Sequence, residues 1–62
     1  MSGPAAYVVQ DDESGLFLMP LDGDVGYTQW LHEAGRFEEL AEAVDTGEFV
    51  LSGKFQITGV SK

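Results

Sequence analysis

Four antiparallel strands with one amphipathic helix packed across one face, an α+β domain of order ββαββ, is the fold this sequence predicts. Three observations lead there: β-branched and aromatic runs toward both ends of the chain, glycine-bearing turn segments between such runs, and helical spacing of apolar residues through the middle. The 62 residues suffice for a single domain over 1–62, and a chain of this size buries only about 60% of the surface its unfolded form exposes. Hydrophobic residues make up 44%, including Trp30, Tyr7, Tyr27 and four phenylalanines, enough for one core and too much for a disordered tail.

The first strand is expected over residues 5–10, Ala-Ala-Tyr-Val-Val-Gln, and the second over Leu16-Phe17-Leu18-Met19. Asp11-Asp12-Glu13-Ser14-Gly15 joins them as a polar hairpin loop in which Gly15 supplies positive φ. Pro20, lacking an N–H, ends the second strand or confines it to a sheet edge. Leu21-Asp22-Gly23-Asp24-Val25-Gly26 then reads as a turn, with two glycines and two aspartates in six positions.

Trp30, Ala34, Phe37, Ala41 and Val44 alternate steps of four and three, and Leu31 and Leu40 widen the stripe. That spacing predicts one helix over 28–44, with Thr28 as N-cap and Gly47 as the C′ residue. Gly35 falls mid-helix, where glycine costs roughly 1 kcal/mol relative to alanine. Projection at 100° per residue places it nearly opposite Phe37, on the exposed face; the alternative is two shorter helices meeting there. Glu48-Phe49-Val50-Leu51 and Lys54-Phe55-Gln56-Ile57-Thr58 read as two further strands turning at Ser52-Gly53. Trp30 is expected in the core on periodicity, and Tyr27 as an exposed aromatic.

Charge is the extreme property: eleven Asp and Glu against three Lys and Arg give a net charge of −8. All eleven acids lie between Asp11 and Glu48, a span whose one Lys or Arg is Arg36. Such a field repels nucleic acid and anionic membranes and attracts basic protein surfaces, over roughly 8 Å at physiological salt. No cysteine is present, so disulfides and thiolate metal sites are excluded. The N-terminal residues have no basic and apolar leader pattern, and no run reaches membrane-spanning length, which makes a cytoplasmic location the expectation.

Catalysis is not expected. His32 stands alone, and Ser2, Ser14, Ser52 and Ser61 lie at ends or in turns, so a nucleophilic triad lacks its parts. Calcium spacing runs from Asp22 to Glu33 but fails at Gly26 and Tyr27, where a ligand and a glycine belong; no cofactor is expected.

Glu38, Glu39 and Glu42 project together on the predicted helix, with Asp45 and Glu33 at the border. Exposed helices ordinarily intersperse cations for (i, i+4) pairs, and this one offers only Arg36. Rows of carboxylates can imitate phosphates, which rise by about 3.4 Å along each DNA strand. In length, charge and the carboxylates Asp11, Asp12, Glu13, Glu38, Glu39, Glu42 and Asp45, the chain resembles the small acidic bacteriophage inhibitors that mimic nucleic acid, anti-CRISPR proteins among them. The resemblance carries no motif and transfers no residue role. It implies binding to a basic cleft of a Cas subunit or another DNA-binding protein, which blocks DNA access without chemistry; the seven carboxylates are the expected partner-binding residues of an inhibitory or regulatory protein, itself expected as a monomer or weak homodimer. Two alternatives stand beside it: a structural or assembly subunit of a phage or other complex, and an antitoxin-like neutraliser of a basic toxin.

Overall fold

The computed structural model of the chain describes residues 4–21 and 23–61. Its elements are β1 (Ala6–Asp11), β2 (Phe17–Leu21), β3 (Asp24–Thr28), a 3-10 turn (Leu31–Glu33), α1 (Leu40–Leu51) and β4 (Phe55–Val60). The strands form one open antiparallel sheet of order β3-β2-β1-β4. The expected class, four antiparallel strands and one helix, is what the chain adopts. The expected order ββαββ is corrected to βββαβ, because one strand moves from after the helix to before it.

The first hairpin forms as the sequence predicts. The Asp11 N–H donates to Leu16 O (2.8 Å), the Gly15 N–H donates to Asp11 O (2.9 Å), and Gly15 takes a φ of 77°. The two strands then part, and their registered pairing is confined to Gln10 and Phe17. The gap is filled by residues 35–37. Tyr7 and Phe37 exchange two backbone hydrogen bonds of 2.8 Å each, and the Gly35 N–H donates to Leu18 O at 2.9 Å.

Those bonds explain why no helix runs over 28–44. Amides that a helix would direct to carbonyls four residues back are turned sideways here, into the sheet. Gly35, expected on an exposed helix face, is half-buried where a Cβ would approach Pro20 Cδ to 3.1 Å. Pro20 lies inside β2 rather than ending it. Strand alternation points its missing donor the same way as Leu18, away from β3, so the β2–β3 ladder is intact.

The predicted turn at 21–26 is instead a hairpin and a strand. Leu21 pairs with Asp24 across a two-residue loop, and Gly23 takes a φ of 82°; Asp22 lies outside the described residues. Val25, Tyr27 and Thr28 supply the β-branched and aromatic character of a strand, which the flanking aspartates and glycines disguised. Thr28 is no helix N-cap. It closes β3, buried, accepting the Trp30 N–H (3.1 Å) and donating to Glu33 Oε1 (3.0 Å), which bends the chain into the 3-10 turn.

Helix α1 begins nine residues after the 3-10 turn starts, at Leu40, and continues through Glu48–Leu51, expected as a strand. Gly47 is therefore no helix terminator but a buried residue within α1, so close to β4 that a Cβ would fall 2.6–2.8 Å from the Phe55 ring. The chain leaves the helix through Ser52 (φ 55°) and Gly53 (φ 88°), a left-handed exit rather than a hairpin turn. It enters β4, which pairs with β1 along its whole length, from Asp11 opposite Phe55 to Ala6 opposite Val60.

Val9, Leu18 and Ala43 centre the core, with Tyr7, Phe37, Val50, Leu51, Phe55 and Ile57 packed around them. Neighbours in a strand point to opposite faces, yet Val8 and Val9 are both 0% exposed. Helix α1 covers Val9. Buried Ala34 and Thr28, outside the helix-side cluster, place the returning 28–34 segment as the cover on the Val8 side. Trp30 is not core: it is 53% exposed, as are Tyr27 and Leu31 in similar measure.

Two substitutions test this packing. Gly47→Ala gains about 1 kcal/mol of helix propensity but drives a methyl into Phe55, an overpacking cost of about 1–3 kcal/mol; the urea midpoint should fall. Ser52→Gly removes a left-handed penalty of roughly 1 kcal/mol, and the midpoint should rise. A gain for Gly47→Ala would contradict the close approach of α1 to β4.

Candidate functional site

The seven carboxylates singled out in the sequence fall into two groups. Asp11, Asp12 and Glu13 sit at the C-terminal end of β1 and in its loop, engaged with their own surroundings. Asp11 accepts the Glu13 N–H (3.3 Å) and the Ser14 hydroxyl (2.8 Å), Asp12 accepts from Gln56 Nε2 (2.9 Å), and Glu13 lies 4.0 Å from Lys54 Nζ. The hydrogen bond from Ser14, and then that from the Glu13 amide, holds the Asp11 carboxyl below its ordinary pKa.

Glu38 and Glu39 leave the sheet at the other end of the strand, and Glu42 and Asp45 follow on α1. The Tyr7–Phe37 bridge fixes where Glu38 and Glu39 leave the sheet, and Glu39 is the N-cap residue of α1, its carbonyl accepting the Ala43 N–H at 3.2 Å. Tyr7 and Asp11 are four residues apart on β1, about 13 Å at 3.3 Å per residue. The seven carboxylates are thus divided between the β1 loop and the segment that leads into and along α1.

On α1 itself, Glu42, Asp45 and Glu48 are all exposed and recur every third residue, about 4.5 Å of axial rise per step. Glu42 in the first turn also opposes the positive end of the helix dipole. Among the described residues the ion contacts are Lys54–Glu13 and His32–Glu33, each at 4.0 Å and exposed. The helix carboxylates accordingly have no described cation within 4.0 Å, and only Glu42 has the helix dipole to offset its neighbours' charge.

Beside that row lies an open groove. Helix α1 packs on β1 and β4, leaving the helix-side face of the β2–β3 hairpin only partly covered. Asp24 and Val25 of β3 and Asp45, Thr46, Phe49 and Val50 of α1 border a hollow of about 490 Å³. It adjoins a second of about 330 Å³, reaching Leu18, Pro20 and Phe37 and sharing Asp24, Val25 and Thr46. Phe49 is 91% exposed at the rim. The Asp24 carboxylate accepts the Val25 N–H at 2.7 Å, occupying an amide on the outer edge of the sheet.

Sequence reasoning missed Asp24, Glu48 and Phe49 as surface features of one site. Glu48 and Phe49 continue the helical spacing of Glu42 and Asp45, a signal hidden by reading Gly47 as a terminator. The Asp22-to-Glu33 spacing does not form a loop: Asp24–Thr28 is extended, and Glu33 accepts from Thr28. Among the described residues no three His, Cys, Asp or Glu side chains gather as a metal site, and no described helix is long and apolar enough to cross a membrane.

Fold and site together define an α+β domain with an acidic helix flank beside an apolar groove. Comparison with models of known families, with curated proteins and with solved structures finds no match to this chain.

The Asp11 turn carries a pH prediction. A carboxyl whose pKa is lowered on folding stabilises the fold above its unfolded value, and that contribution disappears as pH falls through the folded value. Ser14→Ala removes the principal cause, so the Asp11 carboxyl should titrate closer to its ordinary value by carbon-detected NMR. An unchanged titration would show that the Ser14 hydroxyl is not its partner in solution.

Proposed function

We propose that this domain is a non-catalytic binding protein whose acidic helix flank occupies a basic surface of a partner protein, with nucleic-acid-binding surfaces the natural class of target. The observation that carries the reading is the row Glu38, Glu39, Glu42, Asp45 and Glu48, exposed and without a described cation within 4.0 Å. A domain this small has little stability in reserve, and like charges one turn apart on a helix lower it further. Opposing that repulsion with a partner's Lys and Arg converts the same row into binding free energy and faster encounter.

Asp11, Asp12 and Glu13 contribute to the net field but not to the row, since their oxygens are already engaged within the loop and with Lys54 and Gln56. Nucleic-acid mimicry, the function the resemblance implies, then reduces to one helix flank rather than a molecule-wide array. Along the helix axis Glu42, Asp45 and Glu48 step by about 4.5 Å, near enough to the spacing of phosphates for a cleft of Arg and Lys to engage them in succession.

The test separates site from net charge. Glu39→Gln/Glu42→Gln and Asp12→Asn/Glu13→Gln each remove two charges, taking −8 to −6. Titrated with an arginine-rich peptide of about ten residues, the first variant should bind several-fold more weakly than wild type and the second almost as well. Equal losses in both would mean that the peptide follows overall charge, and the helix row would have no special role.

A further inference from the structure

The groove between α1 and the β2–β3 hairpin specifies more about the partner than its charge. We infer that this groove receives an amphipathic, basic helix of a partner protein, an apolar side chain seating against Phe49 and Val25 while flanking Lys or Arg residues meet Asp24 and Asp45. The inference rests on the reading of the domain as an acidic binding protein and adds the shape of what it binds.

Phe49 begins the argument. A phenylalanine 91% exposed beside Val25, itself 39% exposed, places apolar surface against water on both walls of one hollow. Exposed aromatic residues at the rim of an apolar depression are the usual anchors of protein interfaces. Neither wall can close over the other, because α1 is held down on β1 and β4 through Ala43 and Gly47.

Charge then selects the occupant. Asp24 stands on the hairpin wall and Asp45 on the helix wall of the same hollow, with Glu48 one residue from Phe49. A second copy of this chain would bring its own net charge of −8 against them, like charges facing like across the contact. A basic segment meets both walls favourably.

Backbone chemistry selects its conformation. β3 is a sheet edge, where an extended peptide could add as a fifth strand. At Val25, however, the edge N–H is already taken by Asp24 Oδ1 at 2.7 Å. An incoming strand would displace that bond beside the apolar side chains of the groove. A helix satisfies its own backbone and needs only side-chain contacts, the mode in which apolar anchors at i, i+3 and i+4 lie in a groove.

The experiment uses the whole chain and two synthetic probes: a Lys/Leu helical peptide of about 14 residues with one apolar face, and its counterpart with every Leu replaced by Ser. The Lys/Leu peptide should bind about tenfold more tightly than the Lys/Ser peptide. Phe49→Ser should abolish that difference, with the circular dichroism spectrum unchanged because the side chain is solvent-exposed. Asp24→Asn/Asp45→Asn, which keeps an acceptor for the Val25 N–H, should weaken the Lys/Leu peptide several-fold, and amide shifts should concentrate at Val25, Thr46 and Phe49.

Equal binding of the two peptides, or a Phe49→Ser variant that retains the preference, overturns the groove inference while leaving the acidic-flank reading standing. A retained Lys/Leu preference that neither salt nor Glu39→Gln/Glu42→Gln alters overturns the acidic flank and leaves the groove. Sedimentation of the protein alone should give a monomer; a dimer dispersed by Phe49→Ser would assign the groove to a second copy. Shifts along the outer edge of β3 or β4 in place of the groove would assign strand addition and likewise overturn the inference.

Discussion

The paired hydrogen bonds between Tyr7 and Phe37, each 2.8 Å, decide the geometry around them. By taking both edge positions of Tyr7, Phe37 holds a place in the sheet that β2 would otherwise occupy, and Gly35 completes the wedge by donating to Leu18 O. The β2–β3 hairpin consequently leaves β1 after Phe17. Helix α1, which starts three residues after Phe37, is committed to the β1–β4 side, and the hairpin's helix-side face is left open. Groove and acidic flank are both consequences of where this wedge sits.

The wedge was also the part of the fold least legible in the sequence. Trp30, Ala34 and Phe37 have helical spacing, and nothing local forbids a helix there except Gly35, whose cost of roughly 1 kcal/mol is easily outweighed. What outweighs the helix is tertiary: three backbone bonds to Leu18 and Tyr7, 17 and 30 residues earlier in the chain, and a tight approach to Pro20 that favours glycine. The first hairpin, by contrast, is determined within ten residues, through Gly15 and the Asp11 turn, and is legible in the sequence.

Glycine caused the remaining errors, for one physical reason. Gly47 and Ser52-Gly53 look alike to a reading of turn signals, yet Gly47 is glycine because Phe55 fills the place of its Cβ, whereas Gly53 is glycine because its φ is 88°. Local sequence distinguishes close approach from positive φ only when the partner across the gap is known. Once Gly47 was taken as an end, Glu48 and Phe49 could not be seen as the continuation of the acidic helix flank. The carboxylates at Glu38, Glu39, Glu42 and Asp45 are recognisable from composition alone, but that Asp11, Asp12 and Glu13 are engaged by Ser14, Gln56 and Lys54 follows from the loop and from the β1–β4 pairing.

Charge and apolar exposure on this domain constrain each other. An exposed Phe49 beside an open hollow would ordinarily invite self-association, since burying it against another copy removes apolar surface from water at about 25 cal/mol per Å². The row of carboxylates along the same helix opposes that contact, because each copy would bring Asp45 and Glu48 to the interface, against which the adjoining hollow sets only Arg36. The repulsion that lowers the stability of α1 thus also keeps the groove accessible. On the proposed reading, such a surface disfavours a second copy and nucleic acid and favours a partner that carries apolar and basic side chains together.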